Sequence, residues 1–486
     1  MALDPRALDE LRALLGGEGV LASDAARFVH EADAMTLERA RPDVIVLPRS
    51  TDEVAAVVRW ARTHGLPVTA RGAGTGLAGG CTCEHGGVAL SLNRMDAVLE
   101  VDEERMFAWV QPGLVNLWLS QRVAPAGLTF APDPASQQVS TIGGNAATNA
   151  GGPHCLKYGV TFNHVLGLTV VLADGAAVTL GGAACDSPGF DLASVVVGSD
   201  GTLAVITEVC VRLVPAAEAV RTMLFDFGTI AGACEAVSQV IAEGIVPAAM
   251  EIMDQFSVKL VEDWLHLGLP TGAAAALLIE IDGPATALPG QADRIVAIAR
   301  AHGARSVRVA NDDAERATLW RGRKSSFGAY GRTGNAFYVL DGVVPRTRLA
   351  EALVHVHEVA SARGLHAGSV SHAGDGNLHP HVMFDPRVPG QQQAAHEVEL
   401  EILRTCIRFG GTITGEHGVG IEKRPMMAEM FAPEDLAVME RTRAAFDPAR
   451  AFNPGKVLPA GAAGPAPPAR APWSGTVRPG VEGPWT

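Results

Sequence analysis

The chain has 486 residues, 48% of them hydrophobic and 19% charged, which is enough for two or three domains with large buried cores. Its formal net charge is −14, and no basic run appears. These features exclude a nucleic-acid surface, which needs cations facing phosphates, and argue against docking on anionic lipid.

The N-terminus, M-A-L-D-P-R-A-L-D-E-L-R-A-L-L, has no basic segment followed by an uninterrupted apolar run. No apolar stretch approaches the roughly 18 residues that cross a bilayer. The expected location is cytoplasmic, with peripheral attachment to the inner membrane through a partner left open. Residues 8–15 read as a short amphipathic helix and 44–47 as an apolar strand closed by Pro48. Ser50 stands three residues before Glu53, the capping-box spacing, and opens a helix that runs to about His64-Gly65. Strands are expected at 66–70, 88–92, 97–101 and 204–214. Segments 165–172 and 176–180 flank Ala173-Asp174-Gly175, a hairpin signal.

After Pro215 the pattern changes. Helices are expected at 230–242, 289–302, 346–362, 392–409 and 433–445, and strands at 221–227, 248–253, 275–281, 306–310, 336–340 and 378–384. Such interleaving predicts an α+β unit with helices on one sheet face. From Ala460 onward the chain is rich in Pro, Ala and Gly, a composition that predicts disorder.

Three loops of small residues stand out in the first half. Arg71-Gly72-Ala73-Gly74-Thr75-Gly76-Leu77 continues through Gly79, and Gly74 to Gly79 match G-x-G-x-x-G, with Asp96 near the position of a ribose-binding acid. A Rossmann site needs a helix there, and Cys81-Thr82-Cys83-Glu84-His85-Gly86-Gly87 fits none. The alternative is a loop between strands whose exposed backbone N–H groups cradle a pyrophosphate. The segment from Ser140 to Gly152 has the same texture, and its hydroxyls and amides suit the polar edge of a flat ring. Gly198-Ser199-Asp200-Gly201-Thr202-Leu203 is the third loop. Together they predict a large nucleotide cofactor.

In the second half, H-A-G-D-G-N-L-H (372–379) and G-E-H-G-V-G (415–420) place imidazoles and a carboxylate in Gly-rich turns. A turn that only bends can use Ser or Asn, so a metal, a proton transfer or both are implied. His381 is on the same strand face as His379 and is the alternative ligand. The seven cysteines are scattered, with no C-x-x-C, so neither a disulfide framework nor an iron–sulfur site is expected. Cys81 and Cys83 read as bystanders.

Taken in order, R-G-A-G-T-G-L, S-T-I-G-G-N-A-A-T-N-A-G-G, G-S-D-G-T-L, H-A-G-D-G-N-L-H-P, G-E-H-G-V-G and F-N-P-G-K resemble the vanillyl-alcohol-oxidase-type (PCMH-type) FAD flavoproteins. Within them the chain is most similar to the branch of glycolate oxidase FAD subunits and D-2-hydroxy-acid dehydrogenases, over about 44–458. The resemblance implies an α+β fold: a bipartite FAD-binding domain (1–215), an α+β cap with an antiparallel sheet (216–425), a helical segment returning to the FAD domain (426–459) and a tail (460–486). It implies that Arg71, Gly72, Ala73, Gly74, Thr75, Gly76 and Leu77 hold the pyrophosphate. Pro132, Thr141, Gly144, Asn145 and Asn149 would line the flavin, with Gly201 and Ile206 contacting FAD through their backbone. His372, His379 and Glu416 match ligands of a divalent metal, zinc or similar; His417 matches a catalytic base and Arg323 a carboxylate-gripping arginine. A second cationic clamp of that branch has no lysine here, where the sequence reads Phe337-Tyr338-Val339, so a diacid substrate is not supported. The implied activity is FAD-dependent oxidation of a small D-2-hydroxy acid, glycolate first, with D-lactate or D-2-hydroxyglutarate as alternatives; a non-catalytic metal-binding subunit is the rival from another class. Without cluster cysteines, electrons would leave to an iron–sulfur subunit, a quinone or an electron-transfer flavoprotein.

Overall fold

The computed structural model describes residues 3–184, 189–333 and 336–459, so the expected tail lies outside the described residues. Val44–Val46, Val88–Ser91 and Val68–Arg71 pair in parallel, with Val20–Leu21 antiparallel at the edge. Strands buried on both faces read as continuous apolar runs, and Val44, Ile45, Val46, Val88 and Leu90 are fully enclosed. The helix Thr51–Thr63 covers this sheet with Val54, Val57 and Ala61. Its cap departs from the expected box by one residue: Ser50 Oγ accepts from Glu53 N, but Glu53 Oε2 accepts from Arg49 N at 2.7 Å. After Arg71 the chain passes through turns to Val88 with no helix, so the Rossmann reading fails on topology.

A second, antiparallel sheet runs Val98–Asp102, Phe107–Val110, Val205–Arg212, Val165–Val171, Ala177–Gly181. The hairpin at Ala173-Asp174-Gly175 forms as expected, with Gly175 at φ +82. The second Gly-rich loop differs from expectation. Ile142–Thr148 is a short helix, capped by Thr141 Oγ1 on Gly144 N and ended by Asn149 in the left-handed conformation. Small residues had masked it, because the sequence offers no apolar stripe there.

The second half is built on an eight-stranded sheet in the order Ala304–Val309, Ala219–Phe227, Ala275–Gly283, Ala249–Asp254, His366–His372, Asn377–Phe384, Ala336–Val339, with Gly342–Val343 also pairing Asn377–Phe384. Every pairing is antiparallel. Ile230–Ala242, Leu288–Ala301 and Leu349–Ala362 pack on Phe225, Phe227, Leu277 and Ile279. Contrary to the one-face expectation, Gln255–Leu265 and Asp313–Lys324 cover the other face through Val258, Val261, Leu319 and Trp320 on Leu224 and Leu278. Asp313–Lys324 is so rich in charge that it shows little apolar periodicity, which is why it escapes a pattern reading.

After the helix Pro433–Phe446 the chain returns to the first sheet. Phe452 bridges Val68, Asn453 Nδ2 donates to Gly80 O (2.7 Å) and Asp200 O (2.6 Å), and buried Lys456 donates to Thr82 O.

Candidate active site

Between the two halves lies a cavity. Its wall includes Gly72, Ala73, Gly74, Thr75, Gly76 and Leu77 from the first glycine loop, and Thr141, Gly144 and Asn145 from the short helix. Gly201 from the third loop and Glu416 with His417 from the second half complete it. Gly74 at φ +73 and Gly201 at φ +68 occupy the left-handed region that favours glycine. Asn145 Nδ2 and Ser140 Oγ are buried without partners at this wall, so donors are held ready for a polar ligand. Ile206 lines a smaller adjoining recess with Arg71, Gly72 and Gly144. Arg71 turns its guanidinium to Ala32 O (2.9 Å) and Cys81 Sγ (3.1 Å). Pro132 and Asn149 are outside the lining: Pro132 O accepts from Asn116 Nδ2, and Asn149 Oδ1 accepts from Phe162 N.

The histidine motif is a strand pair rather than a turn. His372 ends one strand, His379 is in the next, and the residues between them turn through Gly376 at φ +82. Their rings meet edge-on, 4.9 Å apart. His372 Nδ1 is 2.7 Å from Glu251 Oε1 and His379 Nδ1 is 3.1 Å from Leu340 O, so both rings have that nitrogen engaged and turn Nε2 the other way. Both Nε2 atoms converge on Glu416 Oε1, at 3.2 and 3.0 Å, and the His379 contact lacks hydrogen-bond alignment. Two imidazoles steadied through their far nitrogens, plus one carboxylate, form a donor set that fits a divalent ion with an open coordination position. Burial opposes charge on this group, yet the facing imidazoles hold Glu416 well below the usual carboxylate range. His381 does not join them. Its ring stacks on Tyr330 at 4.1 Å, and burial lowers it to about 3.

His417 lies flat against His379, ring centroids 5.0 Å apart, with Nδ1 unpartnered and Nε2 3.9 Å from Glu416 Oε1. Burial lowers its pKa, so the ring is neutral and able to accept a proton. The loop that carries it is organised by Asp341. This fully buried carboxylate accepts from the backbone N–H groups of Gly415, Glu416 and His417, from Thr414 Oγ1 and from Asn377 Nδ2. Burial works against its charge, but the positive charge of nearby Lys423 helps to hold it below the ordinary range.

Arg323 does not reach the cavity wall. It is buried in the helix Asp313–Lys324, with Nε 2.6 Å from Glu251 Oε2. Glu251 thus joins the arginine to His372. Sequence reasoning passed over Glu251 and Asp341. The available signal was an acid inside otherwise apolar segments, A-M-E-I-M and Y-V-L-D-G-V-V, where an unpaired charge would be expelled.

A glycine-walled cavity that also takes in Glu416, where the His–His–Glu cluster converges, and the His417 imidazole marks a two-lobed cofactor-dependent oxidoreductase. The FAD binding domain family matches residues 42–181, and the C-terminal domain family of FAD linked oxidases matches 216–457. The glycolate oxidase subunit GlcD of Escherichia coli (strain K12) is 42% identical, over 92% of this chain and 90% of its own. The Archaeoglobus fulgidus D-lactate dehydrogenase is 33% identical, over 93% and 99%. Among solved structures, p-cresol methylhydroxylase superposes with a TM-score of 0.75 at 17% identity, covering 93% of this chain and 96% of that one. The 4-ethylphenol oxidase of Gulosibacter chungangensis gives 0.74 at 18%, covering 94% and 97%. The chain belongs to the PCMH-type FAD-linked oxidases and binds FAD.

Proposed function

We propose that the protein oxidises a small D-2-hydroxy acid, glycolate foremost, to the 2-oxo acid. One observation carries the reading: Glu416 and His417 form part of the same cavity wall as the glycine loops, so metal ligand, base and cofactor cradle meet. FAD, when bound, supplies the acceptor for the hydride of the carbinol carbon. A divalent ion on His372, His379 and Glu416 would lower the pKa of a chelated substrate hydroxyl. His417 takes the hydroxyl proton, since its ring is neutral, has Nδ1 unpartnered and lies next to Glu416 in the cavity wall. Glu251, paired with Arg323, holds His372 in place through Nδ1 from the neighbouring strand, so Arg323 acts on the site through Glu251. Pyrophosphate binds on backbone N–H groups of Gly72 to Gly76.

Relatives named for glycolate and for D-lactate keep both acids in contention. Reduced flavin would pass its electrons to an iron–sulfur subunit, a quinone or an electron-transfer flavoprotein, with attachment to the membrane through that partner. No helix among the described residues is long and apolar enough to cross a membrane. Anaerobic stopped-flow mixing of the holoprotein with glycolate, D-lactate and D-2-hydroxyglutarate tests the reading. Bleaching of the flavin by glycolate, slowed by a chelator and restored by zinc or manganese, is expected. A yellow protein that none of these acids bleaches overturns it.

A further inference from the structure

Residues 32–35 lie against the first glycine loop. Arg71 Nη1 donates to Ala32 O at 2.9 Å and Met35 N to Gly76 O at 3.3 Å. Between these contacts sits Asp33, 6% exposed. Its Oδ1 accepts from Met35 N at 3.0 Å. Its Oδ2 is buried without a hydrogen-bond partner, and Asp33 is one of the residues of the cavity wall, with Gly74, Thr75, Gly76 and Cys81. Gly76 is glycine at the point of approach, where a Cβ would stand 3.4 Å from Oδ2.

An enclosed carboxylate oxygen without a partner is costly, and one kept at a ligand wall points to the ligand as its partner. The loop beside it is the backbone cradle for the pyrophosphate. Two anions cannot share that space, so the carboxyl must meet the phosphate as a neutral acid. Burial already favours that form, raising Asp33 to about 7 against the Met35 N–H, the charge of Arg71 and the Cys81 N–H, with Glu422 adding to the rise. The charged or titratable groups facing it are Arg71, Cys81 and Glu422, with Asp200, Glu416 and His417 elsewhere on the same wall.

We propose that Asp33 is a cofactor ligand: its Oδ2–H donates a hydrogen bond to a pyrophosphate oxygen of FAD, and binding takes up a proton from solvent to keep that acid neutral. The inference rests on the FAD reading and adds to it a proton-coupled binding step. A carboxylate in the bound state would repel the phosphate, so affinity falls as pH rises past the point where the free protein loses the proton.

The test is equilibrium titration of the apoprotein with FAD, followed by quenching of flavin fluorescence, from about pH 6 to about pH 9. Wild-type Kd should rise by up to about tenfold per pH unit above about pH 7. Asp33→Asn, whose amide donates at every pH, should remove that rise and bind FAD more tightly than wild type at the alkaline end. Asp200, Glu416 and His417 are common to both proteins, so their own titration cancels in the ratio of the two Kd values. A ratio that does not change with pH overturns the proposal. Proton uptake on mixing wild-type apoprotein with FAD in weakly buffered solution reads the same step without a variant, and no uptake near pH 7.5 would equally overturn it. Apoprotein that binds no FAD at any pH would instead overturn the cofactor reading itself.

Discussion

Asp341 shows how much one buried charge can organise. Its oxygens accept from the backbone of Gly415, Glu416 and His417, which fixes the Glu416 carboxylate and the His417 imidazole of the cavity wall in one loop. Asp341→Asn keeps the shape but replaces an acceptor oxygen with a donor aimed at other donors. Misplacing catalytic groups by about 1 Å costs on the order of a hundredfold in rate. We expect kcat for flavin reduction to fall by about that factor while FAD content stays at wild-type level. Unchanged kcat in a flavin-replete Asp341→Asn protein would show that the loop holds itself. Glu251→Gln makes a milder change, weakening the grip on His372 Nδ1 and on Arg323. Zinc affinity, read by competition with a chromogenic chelator, should drop by about 10–100-fold, the usual effect of losing a carboxylate behind a ligand histidine. His417→Ala should retain both FAD and metal yet abolish bleaching by glycolate. Bleaching at the wild-type rate would remove His417 as the base.

At the scale of elements, the strand pair that carries His372 and His379 depends on its turn. Gly376 has φ +82, and a Cβ there would stand 2.0 Å from Val344 O. Backbone oxygen cannot move aside cheaply, so Gly376→Ala should cost roughly 1–3 kcal/mol and lower the thermal midpoint, with loss of metal affinity as the strand ends separate. A midpoint equal to wild type by calorimetry would show that the turn adapts. Elements of this kind mark what the sequence could tell. Ile230–Ala242 shows from Thr229 to Ala242 a cap and an apolar stripe, and its limits could be read directly. His366–His372 could not. Its H-A-G-S-V-S-H run is small and polar, and it is a strand because Glu251, Ile252 and Met253 pair with it across the sheet. His372, His379 and Glu416, which the structure brings together, stood out in the sequence because imidazoles and an acid in Gly-rich motifs have few packing roles. Glu251 and Asp341 did not, because their roles exist only once distant strands bring them behind His372 and beneath the Glu416 loop. The resemblance implied that the chain returns near Asn453 and Lys456, but their partners Asp200 O and Thr82 O, far off in the chain, could not be read from spacing.

On the scale of the whole molecule, a cavity walled by two halves works only while those halves stay in register. His154, from the Gly-rich segment of the first half, is held between Asp133 Oδ2 (2.8 Å) and Glu280 Oε1 (3.3 Å) of the second. Glu280 is buried and is also gripped by Arg316 and Trp320, while Lys157 and Tyr158 reach Asp282 on the same strand. Burial alone would lower His154, but the flanking carboxylates outweigh it and raise the ring to about 10 from an ordinary 6.5. A histidine with a raised folded-state pKa stabilises fully below its unfolded value and loses that contribution as pH climbs to the folded one. Compared with His154→Gln, the wild type should therefore keep its flavin to a higher temperature at pH 6, with the gap narrowing steadily from about pH 6.5 and closing near pH 10. Flavin fluorescence released on heating measures it directly. A gap of constant size across that range would mean that the contact acts through shape, and that the charge between the halves contributes nothing to holding the cavity closed.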